Sequence, residues 1–224
     1  MEHAWIPLLL SLKVAGWATA LNFVIGVAAG LGLSRWRSGA RDVVDSLLTL
    51  PLVMPPTVLG YYLLVLLGRR GVFGAWLDRL GIQLVFTWQG AVIASMVVAF
   101  PLVLKSARAA FESVDPQLER AARTLGVNET AIFFRVTLPL AMRGILAGTL
   151  LAFARALGEF GATLMIAGNL PGRTQTLSVA VYAAVQAGDD HTANVLVLVT
   201  SVTCVVILLV AGRLVPQHSL MTSR

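Results

Sequence analysis

Long apolar runs separated by short polar segments dominate the pattern of this chain. A helix needs about 20 mainly apolar residues to cross the hydrocarbon core of a bilayer. Charge-free runs of that length cover 14–34, 46–67, 81–104 and 192–212. A fifth apolar stretch, 138–167, which lies fourth in order along the chain, carries Arg155 and Glu159 in its second half. The pattern therefore predicts an all-α integral membrane protein with five spans, built as a single transmembrane domain over 1–224 without a separate soluble domain.

A further uncharged segment, 174–188, is too short to be a span. It begins with polar residues, and it is bounded by Pro171-Gly172 on one side and by Gly188 and two aspartates on the other. Glycine and proline pairs mark turns. We therefore expect a surface helix or a re-entrant helix over this segment.

Three prolines, Pro51, Pro55 and Pro56, interrupt the second apolar run. Each removes a backbone donor, and a break at membrane depth is tolerated only where protein or a watery cavity satisfies the backbone. Two interpretations remain open. The helix is either kinked or broken beside a transport pathway, or simply kinked against a neighbouring helix.

Composition and charge support membrane insertion and assign an orientation. Hydrophobic residues make up 57% of the chain and charged residues 12%, and the basic residues stand singly between apolar runs, a distribution unlike that of a nucleic-acid-binding protein. Segments 35–45, 105–143 and 213–224 together hold 11 Lys and Arg residues against five on the opposite face. The positive-inside rule then places the N-terminus outside and the C-terminus in the cytoplasm, with the first run as an uncleaved span.

A charged, helix-forming passage separates the third and fourth runs. Asp115 before Pro116 predicts a helix start, since aspartate caps free amides and proline suits the first turn. Gly126 predicts its end. Asn128 then predicts the start of a second short helix that reaches Pro139. The first helix, about 11 residues long, is too short to cross a bilayer.

One face of this first helix is apolar. Leu118, Ala121, Ala122 and Leu125 are spaced at i, i+3, i+4 and i+7, whereas Glu119, Arg120 and Arg123 lie off that stripe. A short amphipathic helix can rest in the lipid interface. An alanine-rich stripe offers little area to lipid and suits a shallow protein groove, so the composition favours docking on a protein.

The same passage resembles the EAA loop of permease subunits of ABC importers. The matching residues are Glu119, Ala121, Ala122 and Gly126, followed after nine residues by 136–139; Arg120 stands where the motif has glutamate. Segments 50–71, 114–126 and 153–172 resemble the molybdate permease subunits of that family in particular.

The resemblance implies a five-helix type I ABC importer transmembrane domain in the bacterial inner membrane, surrounded by lipid. It implies a homodimer, two cytoplasmic ATPase subunits, and a periplasmic oxyanion-binding protein as partners. Contact with the ATPase would fall within a cytoplasmic coupling loop at about 110–139. The residues assigned to it are Glu119, Arg120, Ala121, Ala122, Arg123, Leu125 and Gly126.

No catalytic role is expected for the chain itself. It lacks the G-x-x-x-x-G-K-[ST] pattern of a phosphate-binding loop, so ATP and magnesium are expected on a partner. His3, His191 and His218 have no ligand-like spacing, and no metal site is predicted. Molybdate is the expected cargo, with sulfate or tungstate as alternatives and an ion-gradient-driven transporter as a further one.

The charged residues inside the fourth run form the last candidate functional site. Arg155 and Glu159 are four residues apart and so can neutralise each other on one helical face. They either attract an oxyanion in the pathway or form an ion pair that fixes packing near a gate; the neighbouring small residues favour packing. The residues assigned to the pathway or gate are Pro51, Pro55, Pro56, Arg155 and Glu159.

Overall fold

The computed structural model describes residues 2–214, and residues 215–224, including the basic C-terminal Arg224 used in the orientation above, lie outside that range. The described residues form eleven α-helices and one π turn. The helices are α1 (Glu2–Arg35), α2 (Ala40–Val53), α3 (Pro56–Leu67), α4 (Val72–Arg79), α5 (Trp88–Glu112), α6 (Pro116–Thr124), α7 (Glu129–Ile132), α8 (Leu138–Leu157), α9 (Gly161–Ala167), α10 (Leu177–Gln186) and α11 (Asp190–Leu214), with the π turn Phe133–Thr137 between α7 and α8.

The predicted all-α membrane architecture is confirmed. Within residues 2–214, four helical segments are long and apolar enough to cross a membrane: α1, α5, Glu129–Leu157 and α11. The count becomes five if α2 and α3 together form one span. The N-terminal helix α1 begins far before the expected start at 14 and, at 34 residues, is about 51 Å long.

The second apolar run is not one span-long helix, which corrects the prediction for 46–67. The axes of α2 and α3 differ by 111°, and Met54 between them is extended, with ψ 141°. A residue before proline is disfavoured in the α region, and Pro55 and Pro56 follow directly. The prolines therefore accompany a broken helix and not a simple kink, and its place beside a transport pathway stays a prediction.

The fourth apolar run is also divided, although no proline lies at its break. Helix α8 ends at Leu157 and α9 begins at Gly161, so the expectation of one helix over 138–167 is wrong. The third run shifts as well. Its helix α5 starts at Trp88, where Thr87 accepts a hydrogen bond from the Gly90 amide at 3.2 Å, and extends beyond the expected end at 104.

Helix α5 lies at the centre of the bundle, and the G-x-x-x-G motifs at 26–30 in α1 and 144–148 in α8 pack on it. A Cβ added to Gly26 of α1 would lie 2.9 Å from Val103 Cγ1, and one added to Gly144 of α8 would lie 2.8 Å from Ala110 Cβ. Small residues allow such close helix contacts, which dispersion stabilises in lipid. The glycines therefore set the approach of α1 and α8 to α5.

Helix α10 corresponds to the short uncharged segment 174–188. Its residues Leu177, Val179, Ala180 and Ala184 are buried, and the Leu177 amide donates to Ser11 Oγ of α1 at 2.7 Å. One side of this helix is therefore covered by protein, chiefly α1 and α11, which a helix lying on the surface alone would not show.

Candidate functional site

The caps predicted for the helices between the third and fourth runs are confirmed. The Asp115 side chain accepts a hydrogen bond from the Gln117 amide at 2.8 Å, and Pro116 occupies the first turn of α6. The Asn128 side chain accepts from the Ala131 amide at 2.7 Å at the start of α7. Local side-chain chemistry thus determines where each helix begins.

The end of α6 is fixed by a glycine in the left-handed region. Gly126 has φ +80°, a conformation that favours glycine. Its amide donates to the Arg123 carbonyl at 3.0 Å, and the Val127 amide donates to the Ala122 carbonyl at 3.2 Å. These two bonds form a Schellman motif, so α6 has defined geometry at both ends.

Helix α6 presents its apolar stripe to the outside. Every residue of α6 is at least partly exposed, Leu118 is 48% exposed, and Leu125, just after the helix, is 82% exposed. Ala121 is exposed and Ala122 is partly exposed. This chain alone therefore leaves the stripe free for a partner.

The second short helix is not an independent element, which corrects the prediction of two separate helices. Helix α7 continues through the π turn into α8, so 129–157 is one helical segment. Pro139 lacks the donor for the Arg135 carbonyl and its ring would crowd that carbonyl; the chain accommodates this with a wider π turn and does not end the helix. Ile132 is fully buried and Phe133 contacts Phe111, with ring centroids 6.3 Å apart.

Glu119 of α6 faces the rest of the chain. Thr137 Oγ1 in the π turn donates to Glu119 Oε1 at 2.6 Å. Arg123 Nη2 lies 3.5 Å from Glu119 Oε2, as the i,i+4 spacing on a helix allows, and Arg35 Nη2 at the end of α1 lies 3.8 Å from Oε1. The carboxylate thus joins α6 to two other helical segments.

Arg123 makes a shorter contact with Glu129 than with Glu119. Its Nη2 donates to Glu129 Oε2 at 3.0 Å, and its Nε donates to the other carboxylate oxygen. This hydrogen-bonded carboxylate raises the pKa of the Arg123 guanidinium, which therefore stays charged throughout the physiological range.

A charged cluster between α2 and α5 was missed by reasoning from the sequence, which counted its basic residues for orientation only. Asp45 pairs with Lys105 and with Arg108, the latter at 2.9 Å, and Glu112 pairs with Arg41 and with Arg108. A signal was present: Asp45 directly precedes the second apolar run and Lys105 directly follows the third, which places opposite charges at the same membrane face.

The breaks in the two divided spans lie against each other. A Cβ added to Gly60 of α3 would lie 2.8 Å from Ala162 Cα of α9, and one added to Gly161 would lie 3.1 Å from Pro56 Cβ. The structure therefore brings Pro55 and Pro56 close to the start of α9, whereas Pro51 lies earlier, inside α2.

Arg155 and Glu159 form the expected ion pair, with Arg155 Nη1 2.7 Å from Glu159 Oε2. They do not share one helix, because α8 ends between them at Leu157. Glu159 Oε1 accepts a hydrogen bond from the Ala162 amide at 2.9 Å, so the carboxylate also caps α9. The Glu159 side chain is 1% exposed and that of Arg155 is 33% exposed.

These two groups of residues lie at opposite ends of α8. The 20 residues of this helix separate the π turn and α6 from the Arg155–Glu159 pair by about 30 Å. The described residues thus form a multi-pass membrane protein with an exposed, capped helix near one end of α8 and paired helix breaks at the other.

Comparison with known protein families identifies the family to which the chain belongs. Residues 22–218 match the model of the binding-protein-dependent transport system inner membrane component family, and the chain is a member of that family. It is therefore a multi-pass protein of the inner membrane.

Relatives of known name agree with this assignment. The molybdenum transport system permease protein ModB of Escherichia coli (strain K12) is 44% identical over 212 residues, which cover 94% of this chain and 93% of the relative. The ModB protein of Haemophilus influenzae is 43% identical over 197 residues, covering 87% and 85%.

A solved structure shows the same fold. A chain of the bacterial ABC transporter that imports the acidic polysaccharide alginate superimposes with a TM-score of 0.78 at 17% identity, over 98% of this chain and 81% of that one. At this identity the likeness concerns the fold alone.

Proposed function

We propose that this chain is the transmembrane permease subunit of an ATP-driven oxyanion importer, with molybdate as its cargo. The observation that carries the proposal is α6: a short helix with both ends fixed by caps and with an uncovered stripe of alanine and leucine. The cargo follows from the 44% identity to a molybdenum permease over nearly the whole chain.

Helix α6 is the element that receives the movement of the ATPase. A rigid helix with fixed ends transmits a displacement where a loop would deform. In this proposal two copies of the chain form a homodimer within the lipid bilayer, and each α6 docks in a groove of one ATPase subunit, which binds ATP and magnesium. The docking contacts come from the exposed stripe and from Arg120 at its edge, whereas the Glu119 carboxylate faces its own chain.

The orientation proposed from the basic residues gains support from their positions. Arg35 contacts Glu119 of α6, and Arg41 pairs with Glu112 at the end of α5. Segments 35–45 and 105–143, which the positive-inside rule assigned to the cytoplasm, therefore meet on one face of the molecule. This face is proposed to meet the ATPase, and the opposite face a periplasmic oxyanion-binding protein.

The paired breaks form the proposed gate of the pathway. Helix breaks at membrane depth require partners for the freed backbone groups, and Glu159 supplies one for the Ala162 amide. The buried ion pair with Arg155 fixes this arrangement. Selectivity for the cargo then resides mainly in the binding protein, since an arginine already paired with a carboxylate is a weak anion site.

Coupling through α6 is tested with two matched glycine variants in proteoliposomes that contain the ATPase and the binding protein. Gly126 and Gly81 have φ of +80° and +73°, and a Cβ at either position meets no atom within 4 Å. Alanine at each therefore carries a similar backbone cost, about 1–2 kcal/mol. We expect Gly126→Ala to lower ATP-dependent molybdate uptake several-fold and Gly81→Ala to leave it near the wild-type rate.

The same preparation separates the alternatives. Equal uptake by both variants would contradict coupling through α6. Uptake that collapses with an uncoupler while ATP is maintained would identify an ion-gradient-driven transporter. Competition by sulfate stronger than that by molybdate would assign the protein to sulfate import.

A further inference from the structure

We infer that Glu119 is a positioning residue that braces α6 against α1 and against the cytoplasmic end of the fourth span. This inference rests on the function proposed above, in which α6 receives the motion of an ATPase. It assigns Glu119 a role distinct from the docking contacts around it.

Burial separates Glu119 from the exposed stripe of α6. Its side chain is 20% exposed, whereas Leu118 is 48% and Leu125 is 82% exposed. The next residue, Arg120, is exposed. Glu119 therefore lies on the side of α6 that faces its own chain, where a partner protein has little access to the carboxylate.

Polar contacts hold α6 in place more than apolar packing does, because every residue of α6 is at least partly exposed. The bond from Thr137 Oγ1 to Glu119 Oε1 is 2.6 Å long, and Thr137 itself is 3% exposed. Hydrogen bonds from a hydroxyl to a carboxylate are short and about twice as strong as neutral ones. The guanidiniums of Arg35 and Arg123 hold the same carboxylate from two sides.

The residues that contact Glu119 from outside α6 lie at the ends of two spans. Arg35 is the last residue of α1, and Thr137 is the last residue of the π turn that leads directly into α8. A π turn holds one residue more than an α turn, and such turns are frequent at functional sites. A displacement of α6 therefore acts on α8 through Thr137, and α8 ends at the Arg155–Glu159 pair.

The test uses the complete complex, with the ATPase and the binding protein, in proteoliposomes. Thr137→Val keeps the shape of the buried side chain and removes the donor, and Glu119→Ala removes the acceptor on an accessible helix. We expect Thr137→Val to retain ATPase recruitment and hydrolysis. Both variants should lower molybdate uptake per ATP hydrolysed by about tenfold, the loss expected for one charge-assisted hydrogen bond.

Three further variants test whether the effect comes from the hydrogen bond between Thr137 and Glu119. Thr137→Ser retains a hydroxyl and should restore coupling. The double variant Thr137→Val with Glu119→Ala should be no worse than Glu119→Ala alone, because the bond that Thr137→Val removes is already absent there. Thr124→Val is the matched control, since within the described part of the chain the Thr124 hydroxyl donates only to the Ala121 carbonyl of its own helix, and it should leave coupling unchanged.

The outcomes distinguish this inference from the proposed function. If Glu119→Ala loses the ATPase on purification while Thr137→Val keeps it, Glu119 is a docking contact and the inference is wrong, although the importer remains. Wild-type coupling in both variants would also overturn it. If the unaltered chain recruits no ATPase, the proposed function fails first.

Discussion

The two ends of helix α8 are stabilised in different ways. At the end near α6, ion pairs are numerous, and most of their side chains are partly exposed, as in Arg123–Glu129 and Arg41–Glu112. At the other end the ion pair Arg155–Glu159 has a carboxylate that is 1% exposed, and the helices meet through glycine and alanine. The comparison shows that the number of ion pairs is a poor measure of what holds a region together.

Burial explains the difference. Exposed ion pairs contribute about 0–1 kcal/mol each and are screened by salt, whereas removing one partner of a buried pair costs about 3–5 kcal/mol. Exposed pairs can also break and form again at little cost. The end near α6 is therefore suited to movement, and the paired breaks to holding a defined arrangement.

The largest effect is expected from Arg155→Ala. This change leaves the buried Glu159 carboxylate without its cation, and because Arg155 itself is 33% exposed, we expect a loss of about 3 kcal/mol, the lower end of the range for buried pairs. Thermal unfolding in detergent should show it, and uptake should fall without a change in which oxyanion is imported.

Glu159→Gln is the matched variant for this pair. Its amide oxygen can still accept from the Ala162 amide, and the arginine left behind reaches solvent, so a smaller loss is expected than for Arg155→Ala. A larger loss of stability in Glu159→Gln than in Arg155→Ala, or a switch in oxyanion preference in Arg155→Ala, would show that Arg155 binds the cargo and does not fix packing.

A smaller loss is expected from Gly60→Ala, which tests the contact between the breaks. The added methyl would lie 2.7 Å from Met165 Cβ and 2.8 Å from Ala162 Cα, and overpacking of this kind costs about 1–3 kcal/mol. Thermal unfolding in detergent measures the loss.

Gly16→Ala in α1 is its control, because a Cβ there meets no atom within 4 Å. It should be neutral or slightly stabilising, since alanine favours a helix. If Gly60→Ala were equally harmless, close backbone contact would not hold the breaks together.

Local signals in the sequence predicted the elements near α6 well. Asp115, Gly126 and Asn128 act through their own neighbouring backbone, so each cap could be inferred from residue type and spacing. The apolar runs likewise gave the membrane class and the approximate spans. The prolines at 55 and 56 marked the break in the second run, though not its angle.

Contacts between distant segments were beyond the sequence. Gly158 is the C-cap of α8, but glycines also lie inside other spans of this chain, so a glycine there marks a break less clearly than a proline would. The break is stabilised by packing of α9 on α3 and by Glu159 capping from outside the helix. The partners of Glu119 likewise depend on how α1 and the π turn are arranged, and for Asp45 the sequence placed Lys105 at the same membrane face without showing that the two side chains meet. Hydrophobic periodicity carries no information on such pairings.

The smallest effect is expected from Glu129→Gln, at the end of α8 near α6, where the ion pairs are partly exposed. It removes the hydrogen-bonded partner of Arg123, but both side chains lie in solvent, and Arg123 keeps its contact with Glu119 at 3.5 Å. We expect no resolvable change in the thermal unfolding midpoint, and any loss of uptake seen at low salt should disappear near 1 M salt, where screening acts over about 3 Å. A loss that persists in high salt would mean that this pair is shielded in the assembled complex, and the contrast between the two ends of α8 would then hold for the single chain only.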